Sequence, residues 1–145
     1  MRRSFAALLA LALYGPACGP AMAEPPAHYP ERTILLLVAS WCAPCRGEIA
    51  RIEEIATAAR PFAVRVLLVD DTRASQRMIA ALPATRRWSP DPDHVAAVRA
   101  GLLARTPGLP YSVAFDRQGR LCADRRGGLN PEQAKLIVAR CLTPP

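Results

Sequence analysis

Residues 33–39, TILLLVA, form an apolar run with no polar alternation. A Leu/Ile/Val run of that length predicts a strand covered on both faces, as in the middle of a parallel sheet. The period then changes. Along 46–56, RGEIARIEEIA, and on to residue 59, Ile49, Ile52, Ile55, Ala56 and Ala59 fall near one helical face, and Pro61 closes the helix. Residues 62–69, FAVRVLLV, read as a second strand, parallel to the first through the crossover helix. Asp70, Asp71 and Thr72 can cap a helix over 73–82 that stops at Pro83. A polar loop over 84–92 carries Trp88, and Asp91-Pro92-Asp93 starts another helix with Pro at its first position. Val95, Val98 and Leu102 mark the buried face of that helix.

Residues 111–115, YSVAF, and 120–123, RLCA, flank a turn at 116–119 in which Gly119 suits a positive φ, so they predict an antiparallel hairpin. Asn130, Pro131 and Gln133 are the cap, first residue and reciprocal partner of a capping box, opening a last helix that ends near Cys141. The expected order is strand, helix, strand, two helices, hairpin, helix. That is one α/β domain over 33–145, with a mixed sheet of about four strands flanked by helices.

The start of the chain changes the address. Arg2 and Arg3, the apolar stretch 5–14 and Ala21-Met22-Ala23 are the three parts of a secretory signal peptide over 1–23. The apolar stretch is shorter than the ~20 residues a membrane span needs. The expectation is an exported, periplasmic chain, with lipid anchoring through Cys18 as the rival. Residues 24–32, with Pro25, Pro26 and Pro30, read as an extended lead-in. Cleavage would remove Arg2, Arg3 and Cys18, lowering the formal charge from +7 to +5 and leaving Cys42, Cys45, Cys122 and Cys141. The positive charges are scattered, with short clusters at Arg86-Arg87 and Arg125-Arg126. A nucleic-acid reader gathers its base on one element with aromatics interleaved, so no nucleic-acid partner is expected; a mild preference for acidic partners stays open.

The chemistry lies in Trp41-Cys42-Ala43-Pro44-Cys45, where the first strand gives way to a helix. The first helical turn carries unpaired N–H groups and about half a positive charge, which favour a thiolate. Thiols in such C-x-x-C sites fall from ~8.5 to ~3.5–7.5. Cys42, nearer the helix end and expected to be exposed, is the candidate attacking thiolate; Cys45, one turn in, would resolve the mixed disulfide. W-C-x-P-C after a buried strand resembles the thioredoxin superfamily. The stretch 42–48, CAPCRGE, is closest to its exported TlpA/ResA/CcmG-like branch, with Arg46 and Glu48 at that branch's basic and acidic positions. The resemblance implies a thioredoxin-like fold, trimmed at the N-terminus because there is no room for the extra strand and helix. It also implies a kink two residues after Glu48, where Ala50 replaces the family's proline, leaving that kink in question.

Three further positions follow. Glu48 is on the helical face of Cys45 and either relays protons from a half-buried carboxyl or is a solvated surface residue. Leu109-Pro110 occupies the place of the family's cis-proline, implying that the Leu109 backbone pairs with an extended partner segment. Trp41 either shields the disulfide and offers a contact surface or packs in the core. Pro44 supports the helix start, and Arg46 either favours thiolate by its charge or points into water. Cys122 and Cys141, on elements expected to pack together, form a structural bridge or stay as two buried thiols. The expected function is exchange of the Cys42/Cys45 dithiol with protein substrates, without a cofactor, by a monomer recycled by a membrane or exported redox partner. The branch implies a reductant, in cytochrome or copper-site maturation; an oxidase or isomerase is the alternative. A metal-carrying module using the two thiolates is the reading from another class. No metal site is expected, since His28 and His94 have no ligand-like spacing.

Overall fold

The computed structural model describes residues 28–143. The predicted signal peptide, Cys18 and residues 24–27 of the lead-in lie outside the described residues.

The sheet has four strands in the order β2-β1-β3-β4. Strand β1 (Thr33–Val38) is parallel to β2 (Ala63–Leu68) and antiparallel to β3 (Tyr111–Phe115), which forms a hairpin with β4 (Leu121–Arg126). Every residue of β1 is buried. Its odd and even positions feed two cores, so both faces need apolar side chains and the alternation of a half-exposed strand is absent.

On one face Ile34, Leu36 and Val38 pack beneath helices α1 (Ala43–Ala50), α2 (Ile52–Ala58) and α5 (Pro131–Leu142). α3 (Arg73–Ile79) joins the same side through Ile79. On the other face Leu35, Leu37, Tyr111, Val113 and Phe115 pack against Val98 and Leu102 of α4 (Val95–Leu103). Tyr29 closes this second core, its ring stacked on Phe115 at 4.3 Å. A fully buried aliphatic side chain contributes about 1.5–3 kcal/mol, so β1 anchors both layers.

Four boundaries differ from expectation. The helix after the cysteines is broken at Arg51 (φ −109°, ψ 14°), although no proline stands there. Arg51 donates its N–H to Glu48 O, three residues back, at 3.1 Å, so the ladder tightens for one step and then resumes. α3 ends early for a related reason: Ala80 and Leu82 donate to Arg77 O and Ile79 O, three residues back. α4 starts at Val95 rather than Pro92 because Asp91 closes a separate turn. Its carboxylate accepts Asp93 N–H at 3.0 Å and its carbonyl accepts His94 N–H at 2.9 Å. Finally, β4 runs on to Arg126, three residues past its expected end at Ala123, and Gly127 N–H extends the ladder to Pro110 O at 2.9 Å.

The hairpin turn depends on Gly119. Its φ is +70°, and a Cβ there would lie 2.8 Å from the Tyr29 carbonyl oxygen. Gly119→Ala should therefore cost about 1–3 kcal/mol in urea unfolding. Gly101→Ala, in the open on α4, should instead gain up to about 1 kcal/mol. Equal effects of the two substitutions would contradict this account.

Candidate active site

Past Val38 the sheet ladder continues one step, with Val69 N–H on Val38 O at 3.0 Å. The chain then turns, Cys42 N–H bonding Ala39 O at 3.1 Å, and α1 begins. Ser40 N–H is held by Ser75 Oγ of α3 at 2.9 Å, and Ser75 N–H by the Thr72 cap at 3.1 Å. Arg46 reaches back to donate to Ser40 O at 2.8 Å. The loop is thus fixed from two elements before the first cysteine is reached, and Arg46 is spent on a carbonyl rather than on water alone.

Cys42 is the N-cap of α1, with extended backbone (φ −87°, ψ 96°), and its Sγ accepts the Cys45 N–H at 3.3 Å. Sulfur takes the place that a serine or aspartate oxygen holds in an ordinary cap, facing the positive end of the helix. Cys42 and Cys45 are joined in a disulfide with Cα atoms 5.4 Å apart. The expected exposure of Cys42 is corrected here: it is 4 % exposed and Cys45 is fully enclosed. The cap geometry folds Sγ back over the first turn, and in the oxidised pair each sulfur covers the other. Cys42 remains the outer of the two. Pro44 stands in the first turn, where its missing N–H costs no hydrogen bond. Trp41 is 68 % exposed, which removes the core-packing reading and leaves an apolar flank of Trp41, Ala43 and Pro44 at the surface.

Glu48 is buried, so it is not a solvated surface residue. Its Oε1 accepts the N–H of Leu129, the residue before the Asn130 capping box of α5. Burial pushes the carboxyl up from 4.5 to about 7, against the opposing pull of the Leu129 N–H. Because the folded value lies above the unfolded one, this group's contribution to stability is full below about 4.5 and is lost as pH rises through about 7. The swing is on the order of 3 kcal/mol. Glu48→Gln can keep the Leu129 bond and carries no charge. Relative to wild type it should gain roughly that amount at pH 8 and little at pH 4 in urea unfolding of the oxidised protein. A constant difference between the two pH values would show that Glu48 ionises normally.

The Leu109–Pro110 peptide bond is cis. Leu37 pairs with Tyr111, so Leu109 and Pro110, just ahead of β3, lie at the end of the sheet where β1 gives way to the cysteines. Pro110 is buried, and half-buried Leu109 touches both cores. Trp41, Cys42, Cys45, Leu109 and Pro110 therefore gather at one end of the sheet, with Glu48 held to Leu129 two residues past Gly127 there. Cys122 and Cys141 are elsewhere: they are bonded to each other and tie β4 to the end of α5 at the opposite end of the sheet. Leu129 and Ser75 were not singled out by sequence. Leu129 is 81 residues from Glu48, and no local pattern announces that contact. Among the described residues no three His, Cys, Asp or Glu side chains come together as metal ligands.

A mixed sheet of this order, helices on both faces and a C-x-x-C disulfide capping the first helix make up a thioredoxin-like fold. Among solved structures, a thio-disulfide isomerase from Thermus thermophilus aligns at 16 % identity over 77 % of this chain and 80 % of that one, with TM-score 0.57. The exposed lipoprotein thioredoxin Etrx1 of Streptococcus pneumoniae aligns at 17 % identity over 74 % and 82 %, with TM-score 0.54. A secreted Mycobacterium tuberculosis disulfide oxidoreductase homologous to E. coli DsbE aligns at 17 % identity over 74 % and 79 %, with TM-score 0.52. These likenesses concern the fold. No protein-family model and no curated protein sequence matches the chain. Among the described residues no helix is long and apolar enough to cross a membrane.

Proposed function

We propose that this chain is an exported thiol–disulfide oxidoreductase that reduces protein disulfides through Cys42 and Cys45. The observation that carries the reading is Cys42 as the N-cap of α1, its sulfur already accepting a helical N–H, with the buried carboxyl of Glu48 further along the same helix. In the reduced enzyme the Cys42 thiolate attacks one sulfur of the partner's disulfide. The S–S bond breaks, a mixed disulfide forms, and the partner's other sulfur leaves as a thiolate that takes up a proton. Cys45 then gives its proton to Glu48 and attacks Cys42 Sγ. The Cys42–Cys45 bond forms, and the second partner sulfur departs and is protonated. The partner gains two electrons and two protons, and the dithiol loses both.

Trp41 and Leu109 would form the surface around the sulfurs, backed by the buried Pro110, with the Leu109 backbone offered to an extended substrate segment. Pro44 holds the helix start in place. A second redox protein, in the membrane or exported, would return the site to the dithiol. Maturation of cytochromes or copper sites is the setting that the resemblance to the TlpA-like branch suggests.

The test is alkylation of the fully reduced protein between pH 5 and 9, read by mass spectrometry, together with equilibration against glutathione. Cys42 should titrate below the ~8.5 of a free thiol and outpace free cysteine at pH 6, with Cys45 protected. A Cys42 that titrates as an ordinary thiol removes the proposal. A reductant should equilibrate below about −200 mV, whereas a value near −120 mV would make the protein an oxidant instead.

A further inference from the structure

β4 is the outer strand of the sheet. Gly127 donates to Pro110 O, and Arg125 pairs with Ser112 two residues back. The alternation of an antiparallel ladder turns the main-chain groups of Arg125 and Gly127 toward β3 and those of Asp124 and Arg126 outward. Among the described residues nothing outside the sheet meets the outward N–H and C=O groups. A row of open donors and acceptors is a template for another strand.

α5 runs alongside this edge. Gln133, Leu136 and Arg140, spaced three and four residues apart, line a groove of about 380 Å³ with Asp124, Arg125 and Arg126. Leu136 is 64 % exposed there. The charges are unbalanced. Asp124, the groove's carboxylate, accepts the Tyr111 hydroxyl at 2.6 Å. Arg125 and Arg126 each donate to a neutral carbonyl, those of Gly128 and Arg105. Among the described residues no carboxylate pairs with Arg125, Arg126 or Arg140.

We propose that this groove binds an extended, acidic segment of a partner protein, which adds to β4 as a fifth strand. Main-chain hydrogen bonds to Asp124 and Arg126 would hold its register. Side chains of a strand alternate between faces, so carboxylates at every second position can all turn toward α5 and meet Arg125 and Arg140. Arg125 is on that side because it shares a row with Ser112 and Leu36, and Leu36 belongs to the core beneath α5. A second copy of this chain is a poor occupant, since it would set like charges against each other. Neither cysteine of the site lines the groove, and its use requires no redox chemistry.

A labelled nine-residue peptide alternating glutamate with threonine, and containing no cysteine, tests this on the oxidised protein. Fluorescence anisotropy at low ionic strength should show binding that weakens as salt is added. Amide resonances of Asp124, Arg126 and α5 should shift most. The double variant Arg125→Glu/Arg140→Glu should bind at least tenfold more weakly, and so should Leu136→Asp, which alters an exposed helical position without touching the β4 hydrogen bonds. A lysine–threonine peptide should not bind. The proposal is overturned if the acidic peptide fails to bind, if the lysine peptide binds as well, or if both variants bind like wild type. It is also overturned if the largest shifts fall away from β4 and α5, or if the protein dimerises through β4.

Discussion

Cys45→Ser should halt turnover of a protein disulfide and leave the partner covalently attached to Cys42. The two sulfurs are not equivalent. Cys42 caps α1 from outside the helix, and Cys45 is one turn in and fully enclosed. Once the mixed disulfide forms, its release requires a second thiol within bonding reach of Cys42 Sγ, and Cys45, its disulfide partner, has that reach. Serine is too weak a nucleophile toward sulfur to replace it. Steady-state disulfide reduction should therefore fall on the order of 10³-fold or more, as expected when one member of a unit that acts together is removed. Non-reducing gels should show an adduct that dithiothreitol dissolves. Cys42→Ser should be equally inactive and form none. Adducts on Cys45 instead of Cys42 would reverse the roles.

Opening the second bridge should affect stability and leave exchange alone. Cys122 and Cys141 are 19 residues apart and join the outer strand to the last helix at the end of the sheet away from the cysteines of the site. In the chain-entropy model, a closed loop of about twenty residues is worth ~3 kcal/mol. Cys122→Ala/Cys141→Ala should lower urea stability by about that amount and Tm by roughly 10 °C. At temperatures where the variant is folded, its reduction of a protein disulfide should stay within about twofold of wild type, since the site is untouched. If the variant kept its stability and lost activity, the bridge would belong to the redox pathway.

The parts legible in the sequence are those whose physics is local. The unbroken run at 33–39 announces a strand with two covered faces, and Asn130, Pro131 and Gln133 form the capping box they spell. The cysteines could be placed at a strand–helix junction because both elements have strong patterns. What stayed hidden depends on distant partners or on competition between similar hydrogen bonds. The break at Arg51 has no proline or glycine to mark it; it is one i−3 bond chosen over an i−4 bond. Asp91 could have capped a helix at Pro92 and caps a turn instead, by the same short-range bonding. Glu48 could be read as buried or solvated because its partner, Leu129, comes from another part of the chain. Trp41 belongs to neither a strand nor a helix, so no periodicity could say which way it faces. Cys122 and Cys141 were placed on neighbouring elements, but nearness of elements does not by itself decide between a bond and two thiols.

The position of β1 has a consequence for when reactivity arises. One flank of this strand is supplied by residues 63–68 and the other by 111–115. The chain must be synthesised through residue 115 before the later flank exists. Such distant pairings form slowly, because a long loop closes before any contact rewards it. Until then there is no settled helix end to hold a sulfur anion and no neighbouring Leu109–Pro110. A nascent or still-extended chain thus lacks the surroundings that the two cysteines have in the fold.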